Sequence, residues 1–274
     1  METTKIGFIG AGNMANSLIR GLLAQGTDAS TIWATDIDTA KLAQLAASSG
    51  VNSASLSELV ANINVLVLAV KPQVMRQVCL DIARNLHGRK PLIISIAAGI
   101  TSSHLHQWLG QNFAIVRCMP NTPALVGKGA CGMYPNKLVS KQQKKMAEGL
   151  MSAVGLSVWV DTEDDIDAVT ALSGSGPAYF FLFMEAMQAG AIEMGLSADL
   201  AKKLTYQTAI GAAELALSSE DDTAELRRKV TSKGGTTESA IREFEIGELR
   251  ALVSRALKAA QQRSIELAQE YGNK

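Results

Sequence analysis

Lys5-Ile6-Gly7-Phe8-Ile9-Gly10-Ala11-Gly12-Asn13-Met14-Ala15 is the stretch that decides the fold. Ile6 to Ile9 reads as a buried strand, and Met14, Leu18 and Leu22 share one face of a helix that starts directly after the glycines. The GxGxxA pattern is informative only in this strand-turn-helix setting. There Gly10 permits the tight turn, Gly12 lets backbone N–H groups approach a pyrophosphate, Asn13 and Met14 open the helix, and Ala15 keeps it close to the strand. The same residues also suit a tight turn that holds no ligand.

Working outward, short β-branched runs alternate with helical patterns: Ile32 to Ala34, Val65 to Val70, Leu92 to Ile96 and Ala114 to Arg117. Several are apolar on both faces, which suits a sheet covered by helices on each side. The expected fold is α/β, a doubly wound Rossmann-type sheet over residues 1–160. After Val158-Trp159-Val160 only helical patterns follow, so residues 161–274 are expected to form an all-helical substrate-binding and dimerisation domain. The second strand ends in Thr35-Asp36-Ile37-Asp38, where an acid binds the ribose 2′-hydroxyl of NAD, although Asp36 or Asp38 also serves to cap the helix from Thr39. Ligands of such sheets lie beyond the carboxyl ends of the strands. Those ends are Ala69-Val70-Lys71-Pro72, Ser95 to Gly99, and Met119-Pro120-Asn121-Thr122-Pro123, with Lys71 their one cation. Turn chemistry or a solvated lysine accounts for each of them equally well.

A chain of 274 residues suits two domains, and 26 basic side chains against 26 acidic ones give no field to recruit nucleic acid or a membrane surface. Cys79, Cys118 and Cys131 contain no CxxC pair and read as reduced, buried thiols of a cytoplasmic protein. Met1-Glu2-Thr3-Thr4-Lys5 has no export-signal character. No metal is expected: Asp161 to Asp165 reads as a helix start, and His104 and His106, two apart, read as surface residues. Arg227-Arg228-Lys229 suits a helix C-terminus. The stretch Ala178 to Met194 is apolar nearly all round, interrupted by Glu185, Gln188 and Glu193, which argue against a bilayer span. A helix apolar on every face needs cover on every face, which predicts a homodimer or higher homo-oligomer built through the second domain.

Two loops of small residues precede helices in that domain, Ser173-Gly174-Ser175-Gly176-Pro177 and Val230 to Thr237. In the second, two glycines and two threonines at a helix start expose N–H donors and hydroxyls that suit a carboxylate or phosphate, or form an ordinary cap. With Ile6 to Met14, Ala69 to Pro72, Met119 to Ala124, Ser173 to Tyr179 and Ser232 to Thr237, the chain resembles pyrroline-5-carboxylate reductases from end to end. The resemblance implies that 1-pyrroline-5-carboxylate is reduced to L-proline by NADPH or NADH. It also implies a substrate carboxylate on the N–H groups around Gly234, Gly235, Thr236 and Thr237, with the Thr237 hydroxyl facing the ring nitrogen and Ser232 and Glu220 close by. Lys233 stands where many members have proline, and Leu56 where members often have asparagine. A protonated cyclic imine is already electrophilic, so orientation and carboxylate capture are the main demands on the protein. The alternatives are a β-hydroxyacid-dehydrogenase-like oxidoreductase and a dinucleotide-binding regulatory dimer without turnover. Asp36 favours NADH by its charge, whereas the resemblance suggests NADPH.

Overall fold

The computed structural model describes residues 4–110 and 112–272; of the stretch Met1 to Lys5 read for an export signal, Met1 to Thr3 lie outside them. Eight strands form one sheet: β1 (Ile6–Ile9), β2 (Ile32–Thr35), β3 (Asn52–Ser53), β4 (Val65–Leu68), β5 (Leu92–Ser95), β6 (Ile115–Met119), β7 (Gly129–Pro135) and β8 (Gly155–Trp159). Their order is β3-β2-β1-β4-β5-β6-β7-β8. All pairs are parallel except β6 with β7, where Cys118 stands opposite Met133. The order reverses between β1 and β4, and the turn after β1 opens beside that switch point, where doubly wound sheets bind their ligands.

Helices α1 (Asn13–Ala24), α2 (Thr39–Ser49), α3 (Leu56–Asn62), α4 (Pro72–Asn85), α5 (Ser102–Leu109), α6 (Lys141–Ser152) and α7 (Asp165–Val169) accompany the sheet. Successive strand residues point to opposite faces. Phe8, Val65 and Val67 therefore enter one core with Leu18 and Leu150, while Ile9, Leu66 and Leu68 enter the other with Met75 and Trp108. This two-sided burial is why the strands read as unbroken apolar runs instead of alternating ones.

The chain divides into two compact units, Met1–Ser175 with Ala259–Lys274, and Gly176–Lys258. The sequence suggests a change of domain at 160/161, where strand patterns stop. The first unit runs on through Ser175 because α7 packs on β6 and β7, and Ser264 donates to the Asp167 carboxylate at 2.6 Å. The second unit holds α8 (Gly176–Glu193), α9 (Ala198–Ser218), α10 (Thr223–Lys229), α11 (Thr236–Ile246) and the first part of α12 (Leu249–Gly272).

Three expectations are revised in detail. An antiparallel strand, β7, joins the sheet in addition to the strands read from the sequence, which suggests only parallel units. Thr170–Gly174 is a π-helical turn continuing α7, closed by the N–H of Ser175 on the carbonyl of Thr170, and α8 starts at Gly176, so of the expected Ser173 to Pro177 loop only Ser175 lies outside a helix. The α8 side chains read as buried are exposed in the single chain, with Phe180 and Leu182 each 67% accessible. Among the described residues no helix is long and apolar enough to cross a membrane.

Candidate active site

Gly10 adopts φ +104°, and a Cβ there would lie 2.5 Å from the carbonyl oxygen of Ala69. Only glycine fits a positive φ against a neighbouring backbone. Its N–H donates to Thr35 O at 2.8 Å, while Ala69 N–H donates to Ile9 O, so the turn is stitched to the ends of both neighbouring strands. The next N–H, of Ala11, donates to Asp36 Oδ2 at 2.6 Å. The N–H groups of Gly12, Asn13 and Met14 then have no acceptor among the described residues, and Gly12 has open space where a side chain would project. Three open donors at the start of a twelve-residue helix, beside a glycine that leaves room for close approach, fit the pyrophosphate of a dinucleotide. Ala15 is buried against the sheet, where a larger side chain would push the helix away.

Thr35 and Asp36 are half-buried at the end of β2. Asp36 Oδ1 also accepts from Asp38 N–H at 2.8 Å, whereas Asp38 caps α2 through the N–H of Lys41. The two acids thus divide the roles left open by the sequence. Asp36 faces the glycine turn and Asp38 starts the helix.

Along the rim, Ala69 and Val70 are half-buried, Pro72 occupies the first turn of α4, and exposed Lys71 is its N-cap without a side-chain cap bond. Asn121 behaves differently. Its Nδ2 donates to Ser173 O at 2.9 Å and its Oδ1 accepts from Ala130 N–H at 2.8 Å, so both ends of a 9% exposed amide are spent inside the unit. Its side chain is a clip that joins the loop after β6 to the π turn and to β7.

In the second unit, the loop between α10 and α11 is built to present a helix start. Gly234 turns with φ +73°, Gly235 N–H closes on Ser232 O at 3.0 Å, and Gly234 N–H donates to Glu238 Oε2 at 2.7 Å. A Cβ on Gly235 would meet the Ser232 hydroxyl at 2.5 Å, so glycine admits that hydroxyl over the loop. The N–H groups of Thr236, Thr237 and Glu238 have no acceptor among the described residues. Open N–H groups, the Ser232 hydroxyl and half-buried Thr237 together suit a carboxylate next to a second hydrogen-bonding centre. Glu220 is exposed in the turn before α10, and its neighbour Asp221 pairs with Lys229, tying that turn to the base of the loop. Glu238 was not anticipated, although an acid in the first helical turn is a recognisable signal.

The remaining polar candidates are occupied structurally. Glu163 accepts from Ser102 N–H at 2.6 Å and from Arg117 Nη1 at 2.8 Å, and Asp165 accepts from Thr162 N–H. His104 stacks on Trp108 and His106 Nε2 lies 3.0 Å from Phe113 O, so both are half-buried instead of lying at the surface. The three cysteines are buried and unpaired, and burial pushes the Cys79 thiol up to about 12.

Residues 5–99 match a family model described as NADP oxidoreductase, coenzyme F420-dependent, and residues 163–267 match one described as pyrroline-5-carboxylate reductase dimerisation. The chain is 54% identical to the pyrroline-5-carboxylate reductase of Pseudomonas aeruginosa, over 99% of this chain and 100% of that one. A solved pyrroline-5-carboxylate reductase from Coxiella burnetii is 46% identical with a TM-score of 0.93, covering 97% of this chain and 99% of its own. One from Plasmodium falciparum, solved with NADP bound, is 30% identical with a TM-score of 0.85, covering 98% and 99%.

Proposed function

The chain belongs to the pyrroline-5-carboxylate reductase family, and from that premise we propose how its residues divide the work of reducing 1-pyrroline-5-carboxylate to L-proline. The bound cofactor, NADPH or NADH, supplies the hydride that the imine carbon receives. Gly12, Asn13 and Met14 hold its pyrophosphate on the open N–H groups at the start of α1, Gly10 and Ala15 set the path of the turn and helix, and Thr35, Asp36, Ala69, Val70, Lys71 and Pro72 line the strand ends around it. Asn121 acts from behind, by fixing the backbone of its loop.

The observation that carries the substrate assignment is the start of α11, with its open N–H groups and the hydroxyl of Ser232. The substrate is an anion with one carboxylate and a cationic ring nitrogen. The N–H groups of Thr236 and Thr237 take the carboxylate, Gly234 and Gly235, whose own N–H groups are spent on Glu238 and Ser232, shape the loop that presents them, and the Thr237 hydroxyl accepts from the iminium N–H and orients the ring. Exposed Glu220 adds negative charge on the side of that cation. No strong general acid is required, because the imine is reduced in its protonated form. The helical unit also supplies the contact surface of a homodimer, which the exposed apolar residues of α8 support. Buried, unpaired thiols suit a reducing cytoplasm.

The test is oxidation of NADH and NADPH on adding the imine, followed by loss of nicotinamide absorbance. Thr237→Ala is expected to lower kcat/KM by about ten- to a thousandfold while dinucleotide affinity stays constant. Full turnover in that variant removes Thr237 from the mechanism.

A further inference from the structure

We propose that Glu238 is a positioning residue for the substrate carboxylate: it holds the loop before α11 in the shape that presents the open N–H groups of the helix start. The inference rests on the substrate site assigned above and concerns a side chain that acts only through that loop.

The first N–H groups of a helix have no intrahelical acceptor, and a side-chain cap normally covers one of them. In the same unit Ser197 caps α9 on the N–H of Leu200, and Asp222 caps α10 on that of Glu225. α11 is different. Its N-cap is Gly235, which has no side chain to offer, so the N–H groups that a cap would cover stay free for an anion. A Glu or Gln three residues past the cap ordinarily returns to the N–H of the cap itself, as Gln143 does to Ser140 in α6. In α11 that N–H is bound to Ser232 O, and Glu238 reaches one residue further, to Gly234 N–H at 2.7 Å. The carboxylate therefore steadies the helix start from outside, without covering an open donor.

What the bond fixes is a turn with little stiffness of its own. Ser232, Lys233 and Gly234 are exposed, and Gly234, at φ +73°, is the residue type with the most backbone freedom. The bond from Gly235 to Ser232 and the bond from Gly234 to Glu238 together close the turn and keep the Ser232 hydroxyl against Gly235. A loop ordered before the substrate arrives has less entropy to lose on binding it. The opposing term is electrostatic, since exposed Glu238 places a negative charge beside a site for an anion. Bond and charge thus act on substrate affinity in opposite directions, and each can be removed separately.

The experiment compares the full-length wild type, Glu238→Gln and Glu238→Ala in steady-state kinetics with 1-pyrroline-5-carboxylate and NADPH, beside amide hydrogen exchange over the segment Val230 to Ala240. Alanine removes bond and charge, whereas glutamine keeps an acceptor of the same reach and removes only the charge. Glu238→Ala is expected to raise KM for the imine by about three- to tenfold, the contribution of one hydrogen bond, with kcat and KM for NADPH little changed. Glu238→Gln is expected to return KM for the imine to the wild-type value or below it, with the larger gain at low salt, where the lost like charge reaches furthest. Exchange at Gly234 is expected to quicken in Glu238→Ala and to stay slow in Glu238→Gln. A glutamine variant as impaired as the alanine one, an alanine variant with the wild-type KM, or a loss confined to kcat overturns the proposal. If the wild type oxidises no cofactor on adding the imine, the functional reading fails instead, and exchange at Gly234 alone decides whether Glu238 holds the loop.

Discussion

Arg117 illustrates what one residue does for this fold away from the chemistry. Its side chain is 5% exposed in the middle of the sheet, and a charge so placed must be paired. Glu163, 46 residues away, pairs it and also accepts both donors of Ser102, fixing the start of α5 to the segment before α7. Burial pushes the Glu163 carboxyl up, but the Ser102 bonds and the Arg117 guanidinium outweigh it and hold it below its ordinary 4.5. A depressed carboxylate contributes stability that is complete above its unfolded value and is lost as pH falls through its folded one. Glu163→Gln should therefore cost about 2–3 kcal/mol at neutral pH. The gap from the wild type should close as pH falls below the ordinary carboxylate range, which denaturant titrations across the acid range will read. A gap constant from neutral pH to well below that range excludes the charge as its source.

At the scale of elements, legibility followed locality. The strands β1, β2, β4 and β5 are readable because each is a short, mainly apolar run, β6 because apolar residues flank Arg117, and the glycine turn because its residues are adjacent. β7 is not, since Gly129, Gly132 and Pro135 weaken strand propensity and only its partners β6 and β8 make it a strand. The clip role of Asn121 is hidden for the same reason, as its partners lie 9 and 52 residues away. In the second unit the loop before α11 was legible as donors and hydroxyls, whereas the bond from Gly234 to Glu238 emerged only with the fold. The glycines of β7 are packing requirements: a Cβ on Gly132 would stand 2.6 Å from Cγ1 of Val169 in α7. Gly132→Ala should lower stability by about 1–3 kcal/mol through overpacking. Gly132→Ala combined with Val169→Ala should recover part of that loss, and a double variant whose Tm loss is the sum of the two single losses would contradict the packing argument.

The whole molecule is decided by α8. Phe180, Phe181 and Leu182 are all more than 60% exposed, and Met187, Ile192 and Met194 continue the apolar surface along the same chain. Monomeric proteins rarely leave a contiguous patch of this kind in water. The family model over residues 163–267 is one of dimerisation, which supports a homo-oligomer, and the exposed apolar side chains of α8 are the contact it is expected to use. Stability and assembly are then one equilibrium, so Tm should rise with protein concentration, as it does when folding is linked to association. Phe181→Glu places a charge on the patch, where burial without a partner is prohibitive. Sedimentation equilibrium should find this variant shifted to the single chain at concentrations where the wild type is associated, with a lower Tm that no longer depends on concentration. Lys145→Glu, on exposed α6 of the other unit, is the control and should sediment like the wild type. If Phe181→Glu keeps both the wild-type mass and its Tm, α8 is not the contact, and its exposed aromatic residues need another occupant.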